Sequence, residues 1–127
     1  MDYSELTREI IGAAYAVHNE MGFGFAESVY ESCMIVELVR RGLIVQSQCS
    51  IEVYYQGEPV GYFVADLIVN DTVIVELKSV RQLTESHEVQ LVNYLTATRK
   101  PVGLLINFGA ESVEVKRKVR ELPVTAK

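Results

Sequence analysis

The sequence is poor in the residues that mark secreted or membrane-bound chains. Its 127 residues include two cysteines, three prolines and no tryptophan. Cys33 and Cys49 do not form a CxxC pair, which argues against a disulfide framework or zinc knuckle and favours a reducing cytoplasm. No apolar run approaches the roughly 18–20 residues of a membrane span, and the first residues lack the features of a signal peptide. We therefore expect a cytoplasmic protein with no membrane partner.

An excess of basic charge is also missing. The net charge is -5, which argues against broad electrostatic adhesion to nucleic acid or anionic membranes. Residues 1–63 hold nine acids and three bases, whereas residues 64–127 hold eight acids and nine bases. A local basic surface in the second half therefore stays open. With 49% hydrophobic residues, the chain is predicted to form one domain over residues 1–127.

The apolar periodicity predicts eight elements in the order α-α-β-β-β-α-β-β. The predicted helices cover residues 4–21, 27–41 and 84–98, and the predicted strands cover residues 43–55, 60–69, 73–80, 102–108 and a short segment at 113–115. Ser4 is the expected N-cap of the first helix, and Gly42 is expected to end the second in a left-handed conformation. This order is typical of a mixed sheet flanked by helices.

The positions of the apolar residues also predict which surfaces are buried. In the second helix, the stripe at three- and four-residue spacing consists of Val29, Cys33, Val36 and Val39 or Arg40. In the third helix, it consists of Val89, Val92 and Leu95 or Ala97. Residues 60–69 and 73–80 are apolar at odd and even positions alike, as expected for central strands covered on both faces.

Three ionisable residues, Asp66, Glu76 and Lys78, interrupt these two apolar runs. Buried charges must pair, reach solvent or bind a metal. Glu76 and Lys78 share one face of their strand because they are two residues apart. A two-residue turn would pair Asp66 with Val75, whereas a three-residue turn would pair it with Glu76. The sequence leaves both registers open.

In the second register, two carboxylates would face each other beside a lysine. A divalent cation would relieve their repulsion, and a site made only of oxygen ligands suits Mg²⁺ or Mn²⁺. The lysine could then orient or deprotonate a water molecule, or stabilise negative charge. The alternative interpretation is a structural Asp-Lys-Glu salt-bridge group at a sheet end.

These residues and others around them resemble the motifs of one superfamily. The spacing from Asp66 to Glu76-x-Lys78 matches the PD-(D/E)XK nuclease signature, and Gln90 and Tyr94 match the QxxxY element of its RecB-type members. Upstream, His18 and the run Gly24-x-x-Glu27-x-x-Tyr30 resemble the signature of the small GxxExxY proteins, and residues 104–109 resemble their last core strand. The resemblance implies an α/β (α+β) fold with a restriction-endonuclease-like core.

The resemblance also implies roles for individual residues. Asp66, Glu76 and the backbone carbonyl of Leu77 would be metal ligands, and Lys78 would lie against the attacking water and the scissile phosphate. Glu27 would bind the metal directly or through water.

Four further positions receive roles on the same basis. Gln90 and Tyr94 would position substrate or brace the metal ligands. His18 would orient Glu27 or contact phosphate. We expect Arg81 to bind substrate, as part of a basic surface shared with Lys78, Arg99 and Lys100.

The resulting hypothesis is an Mg²⁺- or Mn²⁺-dependent nuclease that hydrolyses phosphodiester bonds in nucleic acid. DNA is favoured over RNA as the substrate, and a homodimer is compatible with this class. The alternative is a catalytically inactive domain of the same fold that binds nucleic acid or protein.

Overall fold

Helices and strands follow one another in the predicted order in the computed structural model, which describes residues 1–120. The helices are α1 (Tyr3–Met21), α2 (Glu27–Arg40) and α3 (Glu85–Thr98). The strands are β1 (Val45–Tyr55), β2 (Glu58–Val69), β3 (Val73–Lys78), β4 (Val102–Asn107) and β5 (Glu114–Val119). Residues 121–127, which the predicted domain includes, lie outside the described residues. The mixed α/β fold class is confirmed.

The strands form one five-stranded sheet in the order β1-β2-β3-β4-β5. The β3–β4 pair is parallel, and the other three pairs are antiparallel. Helix α3 supplies the crossover that a parallel connection requires. β3 and β4 are almost entirely buried, but the first half of β2 is exposed. The prediction that β2 is covered on both faces along its whole length is therefore wrong.

The sheet separates two apolar layers. On one face α1 and α2 pack over a large cluster that includes Val75 and Leu77 of β3. On the other face α3 packs over a smaller cluster that includes Ile74. Side chains alternate between the faces of a strand, so Glu76 belongs to the α3 face together with Ile74.

The first helix begins earlier than predicted. Asp2 is its N-cap, and the Asp2 carboxylate accepts a hydrogen bond from the Glu5 amide at 2.8 Å. Ser4 lies inside the first turn, so the prediction of Ser4 as the N-cap is wrong. The end of α2 agrees with the sequence, because Gly42 follows the helix with a φ of 82°.

The buried face of α2 differs from the predicted stripe. Tyr30, Met34 and Leu38 are buried, whereas Val36 and Val39 are 51% and 56% exposed. In α3 the buried residues are Leu91 and Leu95, and the two valines of the predicted stripe are exposed. Both helices therefore turn a different side toward the sheet than the valine spacing predicts.

The turn between β2 and β3 settles the register that the sequence left open. Val69 pairs with Val73, so the turn contains three residues. Asn70 and Asp71 adopt φ values of 50° and 53°, a left-handed conformation that Asn and Asp tolerate better than most residues. The Asn70 side-chain oxygen accepts a hydrogen bond from the Ile44 amide at 2.8 Å, which fixes the turn against the start of β1. In this register Asp66 is opposite Glu76.

Two structural findings concern membrane spans and cysteines. No helix within residues 1–120 is both long enough and apolar enough to cross a membrane. Cys33 and Cys49 are both free and half-buried.

Candidate active site

Strands β2 and β3 separate beside Asp66 and Glu76. Their backbone pairing ends at Leu67 and Val75, although β2 stays paired with β1 and β3 stays paired with β4 as far as Lys78. We call the space between Asp66 and residues 76–78 the fork. An interrupted ladder exposes backbone and side-chain polar groups to a ligand within an otherwise continuous sheet.

Side-chain hydrogen bonds replace the missing backbone pairs at the base of the fork. The Asp66 amide donates to Glu76 Oε2 at 2.9 Å, and the Leu77 amide donates to Asp66 Oδ2 at 2.8 Å. Each carboxylate is thus held by the backbone of the opposite strand. Because each bond engages one oxygen of a group that has two, both carboxylates can accept a further partner.

Strand β2 is irregular at Asp66. Phe63 and Ala65 pack in the layer under α3, whereas Leu67 packs in the layer under α1 and α2. The change of face takes place at Asp66. On β1, Gln48 has a φ of 50°, and the β1–β2 register skips the Gln48–Asp66 pair.

Gln48 is a site neighbour that sequence reasoning missed. Its amide donates to Glu31 of α2 at 2.6 Å, and it also helps to lower the pKa of Asp66. It therefore connects α2 to the strand that carries Asp66. Nothing in the spacing of the sequence distinguishes Gln48 from the other polar residues of β1.

Burial dominates the electrostatics of the fork. Glu76 is 6% exposed, and burial together with the neighbouring Asp66 carboxylate raises the Glu76 pKa to about 8. Burial also raises the pKa of Asp66, although the Leu77 amide opposes this effect. Glu27, at the start of α2, has its pKa raised by burial and lowered by Lys78. The site therefore holds its carboxylates at a cost in solvation.

Lys78 lies at the centre of this charge arrangement. Its ammonium group lowers the pKa of Glu27, Asp66 and Glu76, so it lies near all three carboxyl groups. The ion pairs within residues 1–120 do not include Lys78. This argues against the alternative of a structural Asp-Lys-Glu salt-bridge group.

The Leu77 carbonyl also faces the fork. The amide and carbonyl of one strand residue point toward the same neighbouring strand, and successive residues alternate. The Leu77 amide points to Asp66 of β2, whereas the Lys78 carbonyl accepts the Phe108 amide on the β4 side at 2.9 Å. The Leu77 carbonyl is therefore directed toward β2, beyond the end of the ladder.

The chemistry of these donors fits a hard divalent cation. Within residues 1–120, no group of three or more His, Cys, Asp or Glu side chains is placed to hold a metal. The candidate set is two carboxylates and one backbone oxygen, and oxygen ligands are those that Mg²⁺ and Mn²⁺ prefer. Glu76 is buried and Asp66 half-buried, and neither is in an ion pair within residues 1–120, so a cation would stabilise the two carboxylates.

The two predicted site residues of α3, Tyr94 and Gln90, lie in different surroundings. Tyr94 stacks on Phe63 with ring centroids 3.7 Å apart. Its pKa is raised by burial and then by Glu76 and Asp66, so its hydroxyl lies near the carboxylates. Gln90 is exposed and lines a groove along α3 with Tyr94. Among the described hydrogen bonds, neither Tyr94 nor Gln90 bonds to the carboxylates, so the bracing role of both residues stays a prediction.

His18 makes its polar contact elsewhere. Its Nε2 lies 3.0 Å from the Ala110 carbonyl oxygen, and its ring stacks on Phe108 at 6.4 Å. It is 9% exposed. These contacts connect α1 to the segment after β4, which gives His18 a structural role in place of the predicted contact with Glu27.

Asn107 is a second residue whose role the sequence did not reveal. It is fully buried at the end of β4 and forms a pair of hydrogen bonds with the Val80 backbone, at 2.9 and 2.8 Å. It also accepts from the Gly109 amide at 3.0 Å and donates to Glu114 at 2.7 Å. Asn107 therefore fixes the segment that follows Lys78. A polar residue at the end of the apolar run 102–108 was the available signal.

The residues of the expected basic surface lie at opposite ends of α3. Lys78 and Arg81 lie before α3, and Arg81 is exposed. Arg99 and Lys100 follow α3, which is 14 residues or about 21 Å long. The Lys100 ammonium is also paired with Asp71 at 2.8 Å. The prediction of one basic surface containing all four residues is therefore wrong.

Comparison with known proteins shows the superfamily and supports the fold. A family model of the PD-(D/E)XK nuclease superfamily matches residues 4–119, and the chain belongs to this superfamily. The predicted restriction-endonuclease-like core is thereby confirmed, whereas the narrower GxxExxY assignment stays a prediction. No curated protein matches the chain.

A solved structure shares the fold. It is described as the crystal structure of SSO0001, and it superimposes with a TM-score of 0.60 at 18% sequence identity. The match covers 94% of the present chain and 60% of the other. The present chain therefore corresponds to somewhat more than half of that protein, and the likeness concerns the fold alone.

Proposed function

We propose that this protein is a metal-dependent nuclease that hydrolyses phosphodiester bonds in nucleic acid. The observation that carries the proposal is the fork, where Asp66 and Glu76 are each held by the opposite strand beside Lys78. A chain of this superfamily that keeps the buried Glu76 and the half-buried Asp66 beside a lysine retains costly charges, and no ion pair within residues 1–120 offsets them. Metal binding would explain why these charges are present in the site.

The residues divide the chemistry between them. Asp66, Glu76 and the Leu77 carbonyl would hold Mg²⁺ or Mn²⁺, which supplies Lewis-acid stabilisation of phosphate charge and a more acidic water. Lys78 would stabilise negative charge on the phosphate oxygens. Glu27 would bind the metal directly or through water, and Tyr94 would brace the carboxylates from α3.

Substrate affinity is expected to be modest. The net charge of -5 opposes a polyanion, and only Lys78 and Arg81 of the expected basic surface lie at the site end of α3. Metal neutralisation of the carboxylates would then be needed for binding, and the affinity would fall steeply with salt. Our expectations of DNA rather than RNA, of a homodimer and of a cytoplasmic location belong to this proposal and await measurement.

Cleavage of labelled DNA and RNA strands with Mg²⁺, Mn²⁺ or EDTA tests the function. We expect cleavage only with metal, and a loss of at least about 100-fold in Asp66→Asn, Glu76→Gln and Lys78→Met. Glu52→Gln, an exposed carboxylate on β1, is the matched control and should keep full activity. Cleavage that persists in EDTA, or in the three variants, would contradict the proposal.

Calorimetric titration with Mn²⁺ separates the enzyme from the inactive binding domain. The enzyme should bind Mn²⁺ in the wild type and lose this binding in Asp66→Ala. An absence of binding in both proteins, together with an absence of cleavage, would favour the inactive domain.

A further inference from the structure

Two phenylalanine side chains are exposed on the connection between α1 and α2. Phe23 is 57% exposed and Phe25 is 44% exposed. We call residues 22–26 the Phe loop. Phe23 has no aromatic partner within residues 1–120, whereas Phe25 meets Tyr30 edge to face at 6.0 Å. Neighbouring exposed apolar groups mark interaction sites, unlike apolar residues scattered singly.

The Phe loop is held in place by hydrogen bonds. The Tyr30 hydroxyl donates to the Gly22 carbonyl at 2.6 Å and accepts from the Phe25 amide at 3.3 Å. The Ser79 hydroxyl donates to the Phe25 carbonyl at 2.7 Å. Both rings are therefore presented from a fixed backbone, which lowers the entropy lost when they bind a partner.

The loop borders the candidate active site. Phe25 precedes Glu27 by two residues, and Ser79, which binds the Phe25 carbonyl, directly follows Lys78. The Phe loop therefore contacts the segment that directly follows Lys78. Other exposed apolar groups lie on the β1–β2 hairpin, on the outer side of α2 and on α3. The Phe loop differs from these in its two exposed phenylalanine rings and its hydrogen bond to Ser79.

The local charge indicates which part of a nucleic acid the loop would contact. Residues 1–63 contain three bases, Arg8, Arg40 and Arg41, which lie toward the ends of α1 and α2 away from the loop. Glu20 and Glu27 are the nearest charged residues in sequence. The basic residues near the loop are Lys78 and Arg81, in the segment that contains the Ser79 bonded to Phe25. These cations can hold phosphate, whereas the apolar rings can stack on a neutral base.

We propose that Phe23 and Phe25 stack on an unpaired nucleobase close to the scissile phosphate. The inference rests on the proposed nuclease function and adds its substrate class, which is single-stranded nucleic acid or a frayed end. In a duplex the faces of the bases are already covered by their neighbours, so the rings gain a stacking partner only where a strand is unpaired.

The test compares two single strands that differ only in their bases. One is an oligothymidylate, and the other carries tetrahydrofuran spacers in place of the bases. With Mg²⁺ or Mn²⁺, the wild type should cleave the base-bearing strand with a kcat/KM about tenfold higher, the size expected for one stacked base. Phe23→Ala and Phe25→Ala should lose this preference, mainly through KM, and Phe23→Tyr should retain it.

Tyr3→Ala is the matched control. Tyr3 is 51% exposed and lies at the opposite end of α1, a helix of 19 residues or about 28 Å. This variant should keep the wild-type preference. Its behaviour separates loss of stacking from general loss of exposed aromatic surface.

Several results would overturn the inference while the nuclease function stands. One is equal cleavage of both strands by the wild type, and another is an equal loss on both strands in the phenylalanine variants. A third is a change in sedimentation of Phe23→Ala, which would assign the Phe loop to contact between copies of the chain. If the wild type cleaves neither these strands nor duplex DNA and RNA in the presence of metal, the proposed function fails and the inference falls with it.

Discussion

Glu76 is the residue of the candidate site whose burial destabilises the fold most. Its carboxyl is almost fully buried, and its pKa of about 8 lies well above the ordinary value of 4.5. A raised carboxyl pKa means that the folded state binds the proton more tightly than the unfolded state. The resulting stabilisation is complete at pH values below 4.5 and is lost as the pH rises through about 8.

The stability of the metal-free protein should therefore fall as the pH rises from about 5 to 9. Glu76→Gln removes the titrating group but keeps an acceptor for the Asp66 amide. We expect it to be more stable than the wild type by roughly 2–4 kcal/mol at pH 9 and to show a flatter profile. Urea unfolding in EDTA at several pH values measures this.

A small slope should persist in Glu76→Gln because the pKa values of Asp66 and Glu27 are raised as well. Glu52→Gln serves as the control, since its exposed carboxylate should leave the profile close to that of the wild type. If the stability of Glu76→Gln depended on pH as strongly as that of the wild type, a group other than Glu76 would be responsible for the pH dependence.

Gly109 approaches the backbone of the segment after Lys78. A Cβ at this position would collide with the backbone nitrogen and oxygen of Val80, and backbone cannot rotate away as a side chain can. We expect Gly109→Ala to lose about 1–3 kcal/mol of stability, as overpacked sites do, and to lose cleavage activity through displacement of residues 78–80.

Gly61→Ala is the comparison for this substitution. A Cβ at Gly61 meets nothing within 4 Å, so its stability should stay within about 0.5 kcal/mol of the wild type. Chemical unfolding and the strand-cleavage assay report on both variants. Equal behaviour of the two alanine variants would contradict the close approach at Gly109.

At the scale of elements, the order and type of the helices and strands could be predicted from sequence, but the sides that α2 and α3 bury could not. In α2 the buried residues Tyr30, Met34 and Leu38 run beside the predicted stripe, in which Val36 and Val39 are exposed. Both stripes are apolar, so periodicity alone does not decide which one faces the sheet. The contact with the sheet decides it.

Adjacent residues in α2 offer a direct measurement of this orientation. Leu38 is fully buried, whereas Val39 is 56% exposed. Leu38→Ala should cost about 2–5 kcal/mol, since it opens a cavity in the core. Val39→Ala should stay within about 0.5 kcal/mol of the wild type. If the costs measured by urea unfolding are reversed, α2 is rotated relative to the structure described here.

The identity of the acidic pair could be predicted, but its geometry could not. Asp66, Glu76 and Lys78 stand out because charges interrupt apolar runs. Whether the two acids meet depends on the length of the turn, which is fixed by Asn70 and its contact with Ile44, 26 residues earlier in the sequence. His18 is similar, because its partner Ala110 is 92 residues away. Contacts of this range leave no local pattern.

At the scale of the whole molecule, metal binding should appear as added stability. A ligand that binds only the folded state stabilises it by about 2.7 kcal/mol at a concentration 100-fold above its Kd. Saturating Mn²⁺ should therefore raise the Tm of the wild type at pH 8, where the unbound carboxylates destabilise the fold. Asp66→Asn should show little or no increase, and Glu52→Gln should match the wild type. An equal increase in all three proteins would indicate metal binding outside the fork.

The hydrogen bonds that cross the fork make the acidic pair part of the sheet. If a descendant of this protein no longer needed hydrolysis, it could not discard either acid freely, because an aliphatic replacement would leave the Leu77 or Asp66 amide without its acceptor. Neutral substitutions would then favour asparagine at position 66 and glutamine at position 76, because both keep an acceptor oxygen and abolish the charge. Amides at these two positions would therefore be the evolutionary trace of a retired enzyme.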